Sequence, residues 1–256
     1  MTKIFDIFKN KSDTPPELWS EVEPLVAPYK KETWVPATTK GSTSYLASKF
    51  SGIPALLKGE EWPCCGSCKK PMQLFVQLNS NNLPDSVKGI FGDGLLQAFY
   101  CTNSEDECDE ICESYFPFSK ATSARLISLD ESELVEHTGN LVEETFPEKQ
   151  ITDWEAQDDY PNWEELEDLG VKLTEEHVSV MREMGFPREK DKLLGWPNWI
   201  QGVEYPSCPE CNKAMKLVFQ IDSEDNLPFM FGDAGCAHIT QCEEHKEQLT
   251  IAWACG

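Results

Sequence analysis

The chain has 256 residues, 40% of them hydrophobic, and a formal net charge of −23. This length is enough for one large domain or two ordinary ones with a well-buried core. Because so acidic a surface repels phosphate backbones and anionic lipid headgroups, we expect the protein to bind neither nucleic acid nor membranes.

The N-terminal stretch predicts a helix and no targeting signal. Its apolar part is short and is interrupted by Asp6, unlike a signal peptide. No run is apolar enough to span a bilayer, so we expect a cytoplasmic protein. Thr14-Pro15-Pro16-Glu17 has the pattern of a helix start and predicts a helix over about 15–27. Four apolar residues then fall on one face: Leu18, Val22, Leu25 and Val26.

Two stretches of the chain resemble each other without a gap. Residues 49–79 and 192–222 align at a constant offset of 143. Each is followed by a similar turn, FGDG or FGDAG, and then by a cysteine. Such self-similarity predicts a tandem repeat. The shared positions include Gly52/Gly195, Pro54/Pro197, Cys65/Cys208, Cys68/Cys211, Met72/Met215 and Gln77/Gln220.

The elements between and within these stretches are mostly extended. Strand composition predicts strands at 32–36, 44–49, 72–78, 95–101, 124–129, 216–221, 238–241 and 249–254. Thr174 predicts a short helix that ends near 185–187. The acidic residues 130–173 contain Trp154 and Trp163, so we expect them to wrap on the surface with both tryptophans tucked in. This balance of elements predicts the α+β class, mostly β, with few peripheral helices.

The repeat divides the chain into four parts. We expect an N-terminal helix and extended segment over 1–48, and a first repeat over 49–129. An acidic bridge and helix would follow over 130–190, and a second repeat over 191–256. We expect these parts to form one compact domain.

The second repeat has the spacing of a structural zinc site. Cys208 and Cys211 form a CxxC pair, and Cys242 and His245 form a CxxH pair after two predicted strands. A CxxC turn places two thiolates on one knuckle, and a second pair from a neighbouring strand completes a tetrahedron as in a zinc ribbon. Eleven cysteines in a reducing compartment favour metal ligands over disulfides. Cys255 is the alternative to His245 as the fourth ligand.

The first repeat predicts a second zinc site with a different fourth ligand. Cys65, Cys68 and Cys101 match the second repeat, but Ser104 occupies the place of His245. The fourth ligand is then Cys108 or Cys112, and loop length favours Cys108. Two further cysteines, Cys64 and Cys236, have no place in this scheme, and we expect both to be buried.

The sequence contains no recognisable catalytic motif. His137, His177 and His238 are isolated, without a neighbouring nucleophile, so we predict no catalytic residues. Trp196 and Trp199 flank Pro197, and they either line a groove or pack in the core.

The paired G-x-P, CxxC and M-x-L-x-x-Q blocks, the FGDAG turn and the closing QCEEH and IAWAC resemble the YwqG-like family of bacterial proteins. This resemblance implies an α+β fold of coiled, bifurcated sheets from two related halves, with no established activity. It also implies an immunity role for some members. The C-x-x-C-x-x-x-M-x-L-x-x-Q pattern alone is similar to the programmed cell death protein 2 group, which implies a chaperone of a ribosomal protein.

These observations favour a non-enzymatic protein that is stabilised by two zinc ions and binds a basic protein partner. The acidic bridge is the predicted contact surface. The alternatives are a metalloenzyme with a hydrolytic zinc site and a purely structural housekeeping protein. Four carboxylates of the bridge test the predicted contact: Asp158, Asp159, Glu164 and Glu165.

Overall fold

The N-terminal helix, α1, runs over Trp19–Val26 and buries Val22 and Val26. The computed structural model describes residues 18–103, 108–137, 142 and 144–256. The predicted start of this helix, Thr14 to Glu17, lies outside the described residues. Three further helices lie between the two similar stretches, the first of them only four residues long. They are α2 (Cys108–Ile111), α3 (Trp163–Asp168) and α4 (Glu175–Glu183).

The described residues are mostly antiparallel β-structure, which confirms the predicted α+β class. The first six strands are β1 (Lys31–Lys40), β2 (Lys49–Phe50), β3 (Ala55–Leu57), β4 (Gln73–Asn79), β5 (Leu95–Tyr100) and β6 (Thr122–Ile127). The others are β7 (Leu134–Glu136), β8 (Lys149–Asp159), β9 (Lys192–Leu194), β10 (Lys216–Asp222), β11 (Cys236–Gln241) and β12 (Leu249–Ala254).

Ten of these strands form one sheet in the order β12-β11-β10-β9-β1-β8-β2-β4-β5-β6, and β3 pairs with β7 in a separate sheet. The ten-stranded sheet curves until its two end strands, β6 and β12, lie against each other, so it is a nearly closed barrel. Residues 115–118, which precede β6, bond to β12 across this seam. Phe118 N donates to Thr250 Oγ1 at 2.6 Å, and Trp253 N donates to Tyr115 O at 3.1 Å.

The strand order is symmetric about the central pair, β1 and β8. β1 precedes the first cysteine stretch, yet it pairs with β9 of the second. β8 precedes the second stretch, yet it pairs with β2 of the first. The two strands pair with each other along their whole length, from Lys31 opposite Asp159 to Lys40 opposite Lys149.

The position of β8 corrects the expectation for the acidic bridge. Residues 149–159 do not wrap on the surface but form an eleven-residue strand at the centre of the sheet. Trp154 is half-buried and packs against Phe219, as expected, whereas Trp163 is 42% exposed. Composition misled here because three acidic side chains of β8, Asp153, Glu155 and Asp158, are exposed, although the strand itself lies between β1 and β2.

Positions 143 residues apart make the same contacts. Gln77 Oε1 accepts a hydrogen bond from the N–H of Ala55, and Gln220 Oε1 accepts one from the N–H of Asn198. Both amide nitrogens donate to two carbonyl groups of the segment that enters β2 or β9. Both glutamines are fully buried. They therefore attach β4 and β10 in the same way to the segments that enter β2 and β9.

Two buried lysines also correspond. Lys49 Nζ lies 3.0 Å from Glu148 Oε2, and Lys192 Nζ lies 2.8 Å from Asp159 Oδ2. Each ammonium group also donates to the carbonyl oxygen four residues further along the chain, at 2.7 Å and 2.6 Å. Both lysine side chains are essentially inaccessible to solvent.

The core lies inside the curved sheet and draws on both halves of the chain. Phe75 and Tyr100 from one half meet Phe229 and Phe231 from the other, with ring centroids 5.0 to 6.0 Å apart. A second apolar cluster joins α1, α3 and α4 on the outside. Thr174 caps α4 by accepting a hydrogen bond from the N–H of His177. Among the described residues, no helix is long and apolar enough to cross a membrane.

Candidate metal centres

Each CxxC pair lies on a knuckle that leads into a long strand. Cys65 N donates to Lys70 O and Cys208 N donates to Lys213 O, both at 2.9 Å. The turn then closes through Lys69 and Asn212, which both have positive φ, at 62° and 57°. The knuckles precede β4 and β10, so Cys101 and Cys242, which directly follow the neighbouring strands β5 and β11, can reach them.

The first group consists of four thiols whose sulfur atoms all lie within 4.8 Å of one another: Cys65, Cys68, Cys101 and Cys108. Cys65 Sγ lies 3.2 Å from Cys108 Sγ, and Cys68 Sγ lies 3.6 Å from Cys101 Sγ. Cys65, Cys101 and Cys108 are buried, and Cys68 is half-buried. The structure thus brings the favoured fourth residue, Cys108, into the group.

The second group consists of three thiols and one imidazole within the same limit: Cys208, Cys211, Cys242 and His245. Cys211 Sγ lies 3.6 Å from Cys242 Sγ. His245 Nδ1 lies 3.7 Å from the sulfur atoms of both Cys208 and Cys242. The His245 backbone N–H also points at Cys242 Sγ, at 3.4 Å.

The other cysteines lie outside these groups. Cys112 Sγ is 3.8 Å from Cys108 Sγ, one helical turn along, and is half-buried. Cys255 lies beside Gly232 and is not part of the second group. Cys236 is buried, as expected, but the expectation that Cys64 is buried was wrong, because its side chain is exposed. Ser104 lies outside the described residues.

The pKa values of the thiols in the two groups are shifted in both directions. Burial raises the pKa of Cys65, but the N–H of Ser67 and the thiol of Cys108 outweigh burial, so its pKa lies below the ordinary value. In the same way the N–H groups of His245 and Glu244 bring the pKa of Cys242 down to about 6. Burial raises the pKa of Cys101 to about 12. A metal ion bound at the first group would therefore have to displace protons, which makes its binding pH-dependent.

His238, outside these groups, lies beside a thiol: its Nε2 is 3.7 Å from Cys236 Sγ, and both side chains are buried. His238 is buried against Trp199, with ring centroids 4.7 Å apart, and burial lowers its pKa to about 3. It is therefore neutral near pH 7 and cannot exchange a proton readily there.

Residues 48–247 match the family described as a domain of unknown function, DUF1963. The chain belongs to the DUF1963 family. No curated protein matches it. The two cysteine-rich groups of this DUF1963 chain have the composition and spacing to hold metal ions. Both groups lie inside the matched range.

Two of the four carboxylates proposed as a contact surface are not on the surface of this DUF1963 chain. Asp159 is fully buried and pairs with Lys192, and Glu165 is 5% exposed. Asp158 remains exposed, with Lys30 3.2 Å from one of its oxygens. Sequence reasoning missed the buried pairs because each joins residues far apart in the chain; the matching Lys49 and Lys192 were the only available signal.

Proposed function

We propose that this protein is a zinc-stabilised, non-enzymatic binding protein built from two diverged copies of one unit, and that it binds a basic protein partner. The observation that carries this proposal is the pair of four-residue metal-type groups at corresponding places in the two halves. Zinc at each group would pin a knuckle to the neighbouring strand, with a folding contribution on the order of 10 kcal/mol per site.

One sulfur–sulfur distance in each group is close to that of a zinc site. In a tetrahedral site with Zn–S bonds of about 2.3 Å, the sulfur atoms lie about 3.8 Å apart. The Cys68–Cys101 and Cys211–Cys242 distances are both 3.6 Å. Four thiolates, or three with one imidazole, are also the usual ligands of structural zinc.

The contacts shared by the two halves support a common unit. The knuckle hydrogen bonds, the buried glutamines and the buried lysines all recur at an offset of 143 residues. The resemblance to the YwqG-like family likewise implies two related halves.

Charge supports a basic partner. The net charge is −23, and the central strands carry exposed carboxylates from Glu32, Asp153, Glu155 and Asp158. Such a surface accelerates association with a positively charged protein. The local resemblance to the programmed cell death protein 2 group favours a ribosomal protein as partner, and the family's implied immunity role favours a toxin.

The hydrolytic metalloenzyme is less well supported. A catalytic zinc ion keeps an open position for water, whereas each group here offers four protein ligands that fill a tetrahedron.

The first experiment is metal analysis of protein purified without added metal, beside the variants Cys208→Ser and Cys65→Ser. We expect about two zinc ions per chain in the native protein and the loss of one in each variant. Ser207→Ala and Ser67→Ala are matched controls that leave the thiols intact. A protein without zinc, or variants that keep both ions, would contradict the proposal.

The partner is tested separately. We expect the zinc-replete protein to capture a basic protein from its source lysate, and the variant Asp153→Lys/Glu155→Lys to capture it more weakly. Glu131→Lys/Glu133→Lys changes the net charge equally at exposed positions away from the central strands. Equal loss in both variants would show that net charge alone governs capture and would remove this surface as the contact.

A further inference from the structure

A cavity of about 770 Å³ opens beside the second half of the sheet, between β1, β9, β10 and α3. Three aromatic side chains, Trp34, Trp196 and Tyr205, form part of its wall. The buried carboxylate of Glu165 also lines it. A concave site with apolar walls and a few polar groups is the usual form of a ligand-binding pocket.

The carboxylate of Glu165 is incompletely satisfied. Tyr205 OH donates to Oε1 at 2.6 Å, but Oε2 has no hydrogen-bond partner in the part of the chain that the structure describes. The buried indole N–H of Trp199 also has no hydrogen-bond partner among the described residues, and it lies near enough to Glu165 to lower the pKa of the carboxyl group. Burial raises the pKa of Glu165, as expected for a carboxylate without sufficient donors. A further hydrogen-bond donor that entered the pocket would stabilise this acceptor.

One wall of the cavity already holds a cationic group. Lys31 Nζ lies 3.2 Å from the centroid of the Trp196 ring. Trp196 Nε1 donates to Tyr29 O at 2.8 Å, which fixes the orientation of the indole. The ring therefore presents a fixed π-face that favours a positive charge.

In the first half of the chain, the position that corresponds to the cavity is filled by a side chain. Lys149 of β8 pairs with a residue of β2, and Trp34 of β1 pairs with the corresponding residue of β9. Lys149 and Trp34 therefore occupy corresponding positions. Counting three residues back from each, Phe146 corresponds to Lys31. The same type of segment therefore enters both central strands, with an aromatic residue in one and a lysine in the other.

This exchange accounts for the cavity. Phe146 packs on Phe75 with ring centroids 5.9 Å apart and so fills the space over β4. In the second half, Lys31 occupies the position of Phe146, and the smaller Val218 occupies the position of Phe75. Both residues line the open cavity. The second half thus has the architecture of the first without its aromatic plug.

The charges around the cavity leave room for one more cation. Three lysines line the cavity: Lys31, Lys216 and Lys246. Lys246 donates to Ile90 O at 2.9 Å, and Lys31 packs on the ring of Trp196. Among the described residues neither Lys31 nor Lys216 has a carboxylate oxygen within 4.0 Å, although the charge of Lys31 acts on Glu165 and lowers the pKa of that carboxyl group. Four carboxylates line the same space: Glu32, Glu165, Asp168 and Glu243.

We propose that this pocket binds an alkylguanidinium group, with its N–H donors on Glu165 Oε2 and its plane against Trp196. Guanidinium suits the site because it is planar, stacks on indole rings and bonds carboxylates through fixed donors. The inference deepens the proposed function, since an arginine side chain of a basic partner carries this group. A free guanidinium compound carries the same chemistry.

The test is calorimetric titration of the zinc-replete full chain with N-acetyl-L-arginine methylamide, beside the neutral citrulline analogue of the same shape. We expect saturable binding of the arginine compound and at least about tenfold weaker binding of the citrulline compound. Glu165→Gln should weaken arginine binding by about tenfold or more, while Glu243→Gln, at an exposed carboxylate of the same pocket, should change it about twofold at most.

Lys31→Ala should change the affinity for the arginine compound in the direction opposite to Glu165→Gln. It removes the ammonium group that competes for the Trp196 ring, so we expect tighter binding of the arginine compound. Weaker binding in Lys31→Ala would indicate an anion site and overturn the proposal. Absence of saturable binding, equal binding of the citrulline compound, or an unchanged Glu165→Gln would also overturn it. Zinc content and thermal unfolding of Glu165→Gln show whether the variant is folded.

The same variant identifies the source of the group. If Glu165→Gln loses capture of the basic partner, the pocket receives an arginine side chain of that partner. If capture is unchanged while the arginine compound still depends on Glu165, the ligand is a free guanidinium compound. Failure to find zinc or a partner would contradict the proposed function but would leave the titration result standing.

Discussion

Lys49 and Lys192 place two ammonium groups inside the protein. Their carboxylate partners sit at opposite ends of β8: Glu148 immediately before its first residue and Asp159 at its last. A buried ammonium group is tolerated only with such a partner and further hydrogen bonds. The two pairs therefore fix both ends of the central strand.

The glycines at these sites explain another part of the shared sequence. Gly52 and Gly195 both have φ of +81°, a conformation that favours glycine. A Cβ atom at either position would overlap the partner carboxylate, Glu148 or Asp159. The conserved spacing between lysine and glycine in the two stretches is thus a requirement of the buried pair.

Removal of one residue of a buried ion pair should lower the stability of the fold. We expect Lys192→Met to lower the free energy of unfolding by about 3–5 kcal/mol, because it leaves Asp159 buried without its cation. Urea denaturation of the zinc-replete protein measures the change. Lys88→Met is the control: its lysine pairs with the exposed Asp85, and we expect a change below about 1 kcal/mol. An equal effect of the two substitutions would show that the buried pair does not stabilise the fold.

That the cysteines of each group lie together could be predicted, whereas the burial of Glu165 could not. CxxC is a local pattern, and its two cysteines meet wherever the chain forms a knuckle. Glu165 differs from its neighbours Glu164 and Glu167 only in the face of α3 that it occupies. Its burial depends on Tyr205, forty residues away, so composition alone placed it on the surface.

At the scale of elements, the segment between β5 and β6 has two roles. It supplies Cys108 to the first metal group through α2, and a few residues later it bonds to β12 across the barrel seam. Trp253 Nε1 also donates to Tyr100 OH at 2.9 Å, so β5 and β12 share a further contact there. The link between β11 and β12 is much shorter and supplies Cys242 and His245 to the second group.

This arrangement predicts different effects for neighbouring cysteines. Cys108→Ser should lose the zinc ion of the first group and increase the hydrogen exchange of the Trp253 amide, because the seam segment loses its attachment. Cys112→Ser should keep both the ion and the protection of this amide. Metal analysis with exchange measured by mass spectrometry tests both. A loss of zinc in Cys112→Ser instead would make Cys112 the fourth ligand.

The strands of the second half were predicted more accurately than the central ones. β12 matches its prediction residue for residue, and β10 and β11 match within two residues, because each is an apolar run in a local meander. β1 is twice as long as predicted, and β8 was missed. Both owe their length to pairing with each other across more than a hundred residues, which no local pattern records.

At the scale of the molecule, neither half completes its own part of the sheet. The first half lacks the strand that lies beside β2, and the second lacks the strand that lies beside β9, because β8 and β1 occupy these places. The nearly closed barrel therefore depends on both halves. This closure was not predictable from element patterns alone, since it is a property of pairings between distant segments.

Cleavage between the halves should consequently leave them together. We expect a protease site inserted at 138–141 to be cut without separation of the fragments on a sizing column under native conditions. Each fragment expressed alone should be largely unfolded by circular dichroism, since it exposes an unpaired strand edge. Separation of two folded fragments after cleavage would contradict this.

The exchange of β1 and β8 has an evolutionary consequence. Two separate copies of one half, each lending its first strand to the other, would form the same barrel as a symmetric homodimer. In such a dimer every substitution appears twice, so a plug like Phe146 and an open cavity could not coexist. Fusion into one chain removes that restriction: one half can keep a filled core and serve as scaffold while the other specialises.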